Sequence, residues 1–356
     1  MKSTIRSALS CATLCFLLSS QNVYSSEPSV SFYGLIDVYA GSLKAAGSDN
    51  RTLAVNSSGM TTSFIGVNTK IDLGDGLTGV ATLESFLRPD TGEEGRYYNP
   101  VNSNNDQFFA RDAFVGLESK FGKIYLGRNT TPYFISVILT NPFVGSFGFA
   151  PSIYHSFLGG LAGDSGWSNS ALYSSPTFGG MDISLLYSAG EVAGKTGTDR
   201  IGGNVFYRAG KFTGTVAYQS VDLFTWNNDP NNFGNNAYVV GDTQTADLLG
   251  VSYDLGVTKL FGQYMKMKTT AAVGNEEWKT YQLGATIPVG KGDIMASYAN
   301  TDYSATGANT DRKTIAVGYD RPLNQKVDLY AVLNRDKPST ASNAGNALAF
   351  GGRFKF

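Results

Sequence analysis

The chain has 356 residues, of which 42 are glycine, 20 tyrosine and 22 phenylalanine, while only 16% are charged. That is too little charge for an ordinary soluble domain, and it fits a surface that meets lipid on one side and water on the other. The net charge is −1, or −3 (26 basic against 29 acidic residues) once Lys2 and Arg6 of the leader are removed, which argues against nucleic acid as a partner.

The first residues read as an export signal. Lys2 and Arg6 supply the charged start, Ala8 to Leu18 the apolar stretch and Val23-Tyr24-Ser25 the small-residue site, so cleavage is expected near Ser25 and residues 26–356 form a single domain. Both cysteines, Cys11 and Cys15, fall in the leader, so the mature chain carries no disulfide and no thiolate metal site. No later run approaches the ~18 apolar residues of a membrane helix.

Downstream, segments of about ten residues alternate strictly between apolar and polar, the pattern of a tilted strand crossing a bilayer. Met181, Ile183, Leu185 and Tyr187 oppose Asp182, Ser184 and Ser188, and Phe212, Val216 and Tyr218 oppose Thr213, Thr215 and Gln219. Tyr281, Leu283, Ala285, Ile287 and Val289 oppose Thr280, Gln282, Gly284 and Thr286. Val327, Leu329, Ala331 and Leu333 oppose Lys326, Asp328, Tyr330 and Asn334, and finally Leu348, Phe350, Phe354 and Phe356 oppose Ala347, Ala349, Arg353 and Lys355. Successive side chains of a strand point to opposite faces, so each segment has one greasy and one wet face.

The breaks alternate in length. Short ones fall at Gly74-Asp75-Gly76, Lys120-Phe121-Gly122, Gly179-Gly180, Gly210-Lys211, Gly256, Gly290-Lys291 and Leu323-Asn324. Longer polar ones run over Lys44 to Gly59, Pro89 to Asn105, Asn129 to Ser168, Glu191 to Asp199, Asp222 to Asp242, Thr270 to Asn275, Ser304 to Ala308 and Pro338 to Ala344. Eight long and seven short connections imply about 16 strands in an all-β, antiparallel transmembrane barrel with short periplasmic turns and long extracellular loops. Such a barrel encloses an aqueous lumen, and closure leaves no unpaired edge in lipid.

Specific residues then resemble the general porins of Gram-negative outer membranes. The mature chain opens with Ser29-Val30-Ser31-Phe32-Tyr33-Gly34-Leu35-Ile36-Asp37, matching the family's S-V-x-x-Y-G-x-x-D strand. Leu83-Glu84-Ser85-Phe86 followed by Asp90-Thr91-Gly92, the run Ala110-Arg111-Asp112-Ala113-Phe114-Val115-Gly116-Leu117, and Leu126-Gly127-Arg128 are similar to the same family. So are Asn169-Ser170, the run Tyr173-Ser174-Ser175-Pro176-Thr177-Phe178-Gly179-Gly180, and the terminal Phe356. The resemblance implies a homotrimer of 16-stranded barrels and a long third loop, here Asn129 to Ser168, folded inward as a constriction. It further implies an insertion signal at Phe356 read by the barrel-assembly machinery, contact with outer-membrane lipid and lipopolysaccharide, and passive diffusion of small hydrophilic solutes and ions, with no cofactor.

Selectivity in such a pore comes from charges facing each other across its narrowest section. Arg111 and Arg128 match the family's pore-wall arginines and Glu84 a lumenal carboxylate. Strand parity puts Glu84 and Arg88 on the face of Thr82, whereas Arg111 shares its parity with the apolar Phe109, Val115 and Leu117. Asp37, Lys123, Arg208, Arg312 and Arg353 read as further lumenal residues. The third loop departs from the family pattern: Asp164 is its only acid among many apolar residues, and Trp167 and Leu172 stand where arginines are common. The loop is therefore expected either to rest against the barrel wall or to line a path for a less polar solute.

Other readings are weaker. Gly163-Asp164-Ser165-Gly166 resembles a serine-hydrolase motif, but its base would have to be His155, in the same loop. The Asp/Asn-rich Asn102 to Asp106 and Asn227 to Asn236 lack the ligand spacing of a dedicated calcium site. A substrate-selective channel for a sugar or organic solute is the alternative to a general pore, and an adhesin a third reading.

Overall fold

A computed structural model describes residues 27–96, 106–193, 198–224, 239–272 and 274–356; the expected leader and the expected cleavage near Ser25 lie outside these. Among them, eighteen strands join in one antiparallel sheet that closes on itself. In chain order they are β1 (Ser29–Lys44), β2 (Thr52–Ser57), β3 (Phe64–Gly74), β4 (Leu77–Arg88), β5 (Glu93–Glu94), β6 (Ala113–Ser119), β7 (Gly122–Thr130), β8 (Gly166–Ser174) and β9 (Met181–Ser188). There follow β10 (Arg200–Ala209), β11 (Phe212–Asp222), β12 (Thr243–Asp254), β13 (Lys259–Ala271), β14 (Gly274–Val289), β15 (Gly292–Ala305), β16 (Ala308–Pro322), β17 (Val327–Pro338) and β18 (Gly345–Lys355).

Sixteen of these are staves of the barrel; β2 and β5 are short ladders at the long-loop end. The seam closes where β1 pairs with β18 from Leu35↔Lys355 to Lys44↔Asn346. On its other edge β1 pairs with β3 from Ser29↔Lys70 to Leu35↔Phe64, and above that with β2 from Val38↔Ser57 to Leu43↔Thr52.

The expected faces hold. Leu185, Tyr187, Val216, Tyr218, Tyr281, Leu283, Leu329, Leu333, Leu348, Phe350 and Phe354 are exposed on the outer surface. Their opposite numbers Ser188, Thr215, Gln219, Thr280, Gln282, Asp328, Tyr330 and Ala349 are buried inside. No helix among the described residues is long and apolar enough to cross a membrane.

Several of the expected long connections come out differently, and β5 occupies part of Pro89 to Asn105. β2 occupies part of Lys44 to Gly59, and the connections at Thr270 to Asn275 and Ser304 to Ala308 shrink to tight turns, with Ala271↔Gly274 and Ala305↔Ala308 still paired. The reason lies in the outward faces of β13 to β16, which above the apolar band carry Lys266, Lys279, Asp302 and Lys313. A strand that projects beyond lipid loses its apolar parity and so reads as loop.

The third loop folds into the barrel as α1 (Pro132–Leu139), α2 (Pro151–His155) and a π-type turn over Ser156–Gly160. Thr131 caps α1 by accepting from the Phe134 amide at 3.1 Å, and Pro132 at the first helical position has no amide to leave unsatisfied. Buried side chains of the loop, among them Tyr133, Val137, Phe143, Phe149 and Ile153, form a core with Ala217, Leu248, Met265, Met295, Ala316 and Val332 of the inner wall. Each large apolar side chain buried this way contributes roughly 1.5–3 kcal/mol.

Wall glycines make the seats. A Cβ on Gly250 would lie 2.4 Å from Thr140 Oγ1, on Gly284 2.7 Å from Pro142, and on Gly318 3.2 Å from the Phe143 ring. The loop therefore lies on the wall, the first of the two arrangements its apolar composition allowed.

Candidate pore constriction

One stretch of the barrel wall is built by the adjacent strands β1, β3, β4 and β6. Glu84 points inward from β4 and accepts from the Tyr33 hydroxyl and from Arg111. Arg111 reaches it through a bulge: the Glu84 amide donates to the Asp112 carbonyl at 2.7 Å while the Arg111 amide donates to the Glu84 carbonyl at 3.3 Å, so two residues face one. The bulge turns Arg111 away from its apolar parity mates. Its guanidinium sits 4.0 Å from the centroid of the Phe64 ring, and its side chain stays 32% exposed where Glu84 is 6% exposed. Asp112, the second bulge residue, accepts from the Thr130 amide at 2.8 Å and so ties the start of β6 to the end of β7.

Arg88 is buried and held by loop groups: its Nε donates to the Glu94 carbonyl at 2.9 Å and its head pairs with Glu93 at 2.8 Å. Arg128 and Asp164 are buried as well. The Arg128 Nε donates to the Ala110 carbonyl at 2.5 Å, and its two terminal nitrogens to Ser168 Oγ at 3.1 Å and Asp164 at 3.0 Å. Asp164 also pairs with Arg96, which is bidentate to Asp106 (Nε to Oδ2 at 3.0 Å, NH2 to Oδ1 at 2.7 Å) and donates to Ser165 Oγ at 3.0 Å. This cluster joins the second loop, the third loop and the end of β7. Burial alone would push the Asp164 carboxyl up, but Arg96 and Arg128 hold it below the usual carboxylate range. Arg96, although burial works against its charge, stays firmly protonated between its two carboxylates.

Sequence reasoning missed Arg96, whose partners lie ten and sixty-eight residues away. It also left Asp37 without a role. That carboxylate is fully buried and accepts from the amides of Gly59, Met60 and Thr61 at 3.1, 2.9 and 2.7 Å and from the Tyr330 hydroxyl at 2.5 Å. It thus fastens the first loop to the barrel seam. The other expected lumenal cations are paired: Arg312 with Asp336 at 2.8 Å, Arg353 with Asp320 and Asp328, Lys123 with Glu118 at 3.4 Å, and Arg208 with Asp182.

The hydrolase motif does not assemble. Both ring nitrogens of His155 are taken by Thr301 (2.7 Å) and Thr314 (2.6 Å), while Ser165 belongs to the Arg96 cluster. Of the Asp/Asn-rich loops, only Asp106 falls within the described residues, and its carboxylate is occupied by Arg96. Phe356 packs its ring 5.8 Å from that of Phe32, and its backbone exchanges two 3.1 Å hydrogen bonds with Gly34.

The profile of the Gram-negative porin family matches residues 8–341. Outer membrane porin protein 32 of Delftia acidovorans is 26% identical over 344 residues, covering 92% of this chain and 90% of its own. Among solved structures, an anion-selective porin from Comamonas acidovorans superposes with a TM-score of 0.75 at 23% identity, covering 93% of this chain and all of that one. The trimer form of OmpT from Vibrio cholerae does so with a TM-score of 0.67 at 16% identity over 93% of this chain and 100% of that one. A closed barrel of sixteen staves, an inward third loop and a family profile that spans nearly the whole length place this chain in the Gram-negative porin family of the outer membrane.

Proposed function

We propose that the narrowest section of this outer-membrane diffusion channel lies between the Glu84–Arg111 wall and the free side of the third loop, with Arg111 as the charge that passing ions meet. The observation that supports the reading is the bulge, which pairs a partly exposed Arg111 guanidinium with the inward Glu84 where parity along the strand left its direction ambiguous. Arg88, Arg128 and Asp164 serve the constriction by holding the second and third loops in place, since their charges are paired and buried. Leu139 and Val144 keep the loop's free side apolar, so the transverse field is one-sided.

The chain acts as a channel and not as an enzyme, and it assembles as a homotrimer, in keeping with the trimer form among its structural neighbours. Lipid and lipopolysaccharide surround it, and Phe356 presents its insertion signal to the assembly machinery.

Single-channel conductance and reversal potential across a salt gradient, for the wild type and for Arg111→Ser, test this. Steps in groups of three, with selectivity moved toward cations by unmasking Glu84, are expected. Absence of any conductance would overturn the diffusion reading, and an unchanged reversal potential would overturn the role of Arg111.

A further inference from the structure

A second lumenal feature lies above the constriction, at the long-loop end. The π-type turn of the third loop leaves a cavity of about 290 Å³ against the wall of β14 to β16, walled by Trp278, Tyr303, Arg312, Thr310, Thr340 and Gly160. The rings of Trp278 and Tyr303 stand 5.0 Å apart at 43°, which makes an open aromatic corner. Gly160 is what lets the indole lie there: a Cβ on it would sit 2.4 Å from the Trp278 ring. Beneath, His155 pins the turn to Thr301 and Thr314.

Every charge at this cavity is already matched. Arg312 is bidentate to Asp336 at 2.8 and 2.9 Å and lies 4.1 Å from the centroid of the Tyr154 ring. Asp311 pairs with Lys313 at 3.4 Å, and Glu276 accepts from the Tyr303 hydroxyl at 2.9 Å. The Asp336 pair uses two of the five N–H donors of the guanidinium, and threonine hydroxyls supply both donors and acceptors. The lining is thus rich in hydrogen-bonding groups and aromatic surface but carries no unmatched charge. An organic anion or cation would find no counter-charge there to offset its desolvation. A neutral ring with one C–H face and a rim of hydroxyls meets both features at once, its face on the aromatic corner and its rim on Arg312, Thr310 and Thr340.

We infer that this cavity is a binding subsite for a single neutral sugar ring, which holds polyhydroxylated solutes at the channel mouth before they pass the constriction. The inference rests on the channel reading for its purpose but not for its measurement. Glucose is titrated into the detergent-solubilised full-length protein by calorimetry, and in parallel its effect on ion current through single channels is recorded. Saturable heat is expected in the wild type, together with a saturable block of current. Trp278→Ala is expected to weaken binding by about tenfold or more, a change large enough to resolve. Trp278→Phe should restore most of it, and Gly160→Ala, which pushes the indole into the cavity, should weaken it again. Current without saturable glucose heat, affinity indifferent to Trp278→Ala, or saturable binding of benzoate in place of glucose would each overturn the subsite. Saturable heat in a protein that passes no current would support the subsite and overturn the diffusion reading instead.

Discussion

Removing the Arg96 guanidinium would strand two buried carboxylates, Asp106 and Asp164, with only Arg128 left to one of them. Breaking a buried ion pair from one side costs about 3–5 kcal/mol, and here the loss falls on the docking of two loops, since the staves pair through their backbones. Arg96→Ala is therefore expected to leave the barrel intact by circular dichroism while raising current noise and the protease sensitivity of the third loop; a quiet channel would contradict the latch. His155 makes a second residue-level case. Burial, reinforced by Arg312 and opposed by Asp336, pushes its pKa from 6.5 down to about 3, so it is neutral when the loop is docked. An undocked imidazole takes up a proton near pH 6.5, so docking is at full strength above that value and weakens as pH falls toward 3. Gating that rises over this window in the wild type and stays flat in His155→Gln is expected; identical pH profiles would rule the histidine out.

At the scale of elements, the third loop is held by shape as much as by charge. Gly250, Gly284 and Gly318 are spaced across β12, β14 and β16, and each admits one residue of the segment Thr140 to Phe143. Gly250→Val inserts a branched side chain where even a Cβ meets Thr140, and such overpacking costs about 1–3 kcal/mol. The expected result is a displaced loop and an altered unitary conductance in a barrel that still resists heat-induced unfolding on a gel. Unchanged conductance would mean that the loop does not depend on its seat. The loop's apolar composition was legible in the sequence, but its seat was not, because wall glycines separated by more than thirty residues come together only when the sheet curls. The bulge at Arg111 was hidden for the same reason: it exists only relative to Glu84 on the neighbouring strand, while parity is counted along one strand.

For the whole molecule, stability is a matter of closure. The seam depends on the ladder between β1 and β18, on Asp37 tying the first loop to Tyr330, and on Phe356 bonded to Gly34. Deleting Phe356 removes the last rung of the seam and a ring packed on Phe32 and Phe354. The fraction of chain recovered as folded barrel in the membrane is expected to fall several-fold, read from heat-modifiable mobility; undiminished recovery would deny the terminal residue any part in assembly.

Alternation of apolar and polar residues with period two, punctuated by glycine turns, determined by itself that this chain is a β-barrel and how many staves it has, because strand geometry converts parity directly into lipid and water faces. It placed Glu84 and Arg88 inside for the same local reason. Only the tertiary structure decided which inward charges remain exposed to the lumen. Arg96, Arg128 and Asp164 neutralise one another across three segments, Arg111 enters through a bulge, and the third loop lies on the wall. Each of these outcomes depends on pairing between distant strands and loops, which parity along one strand does not encode.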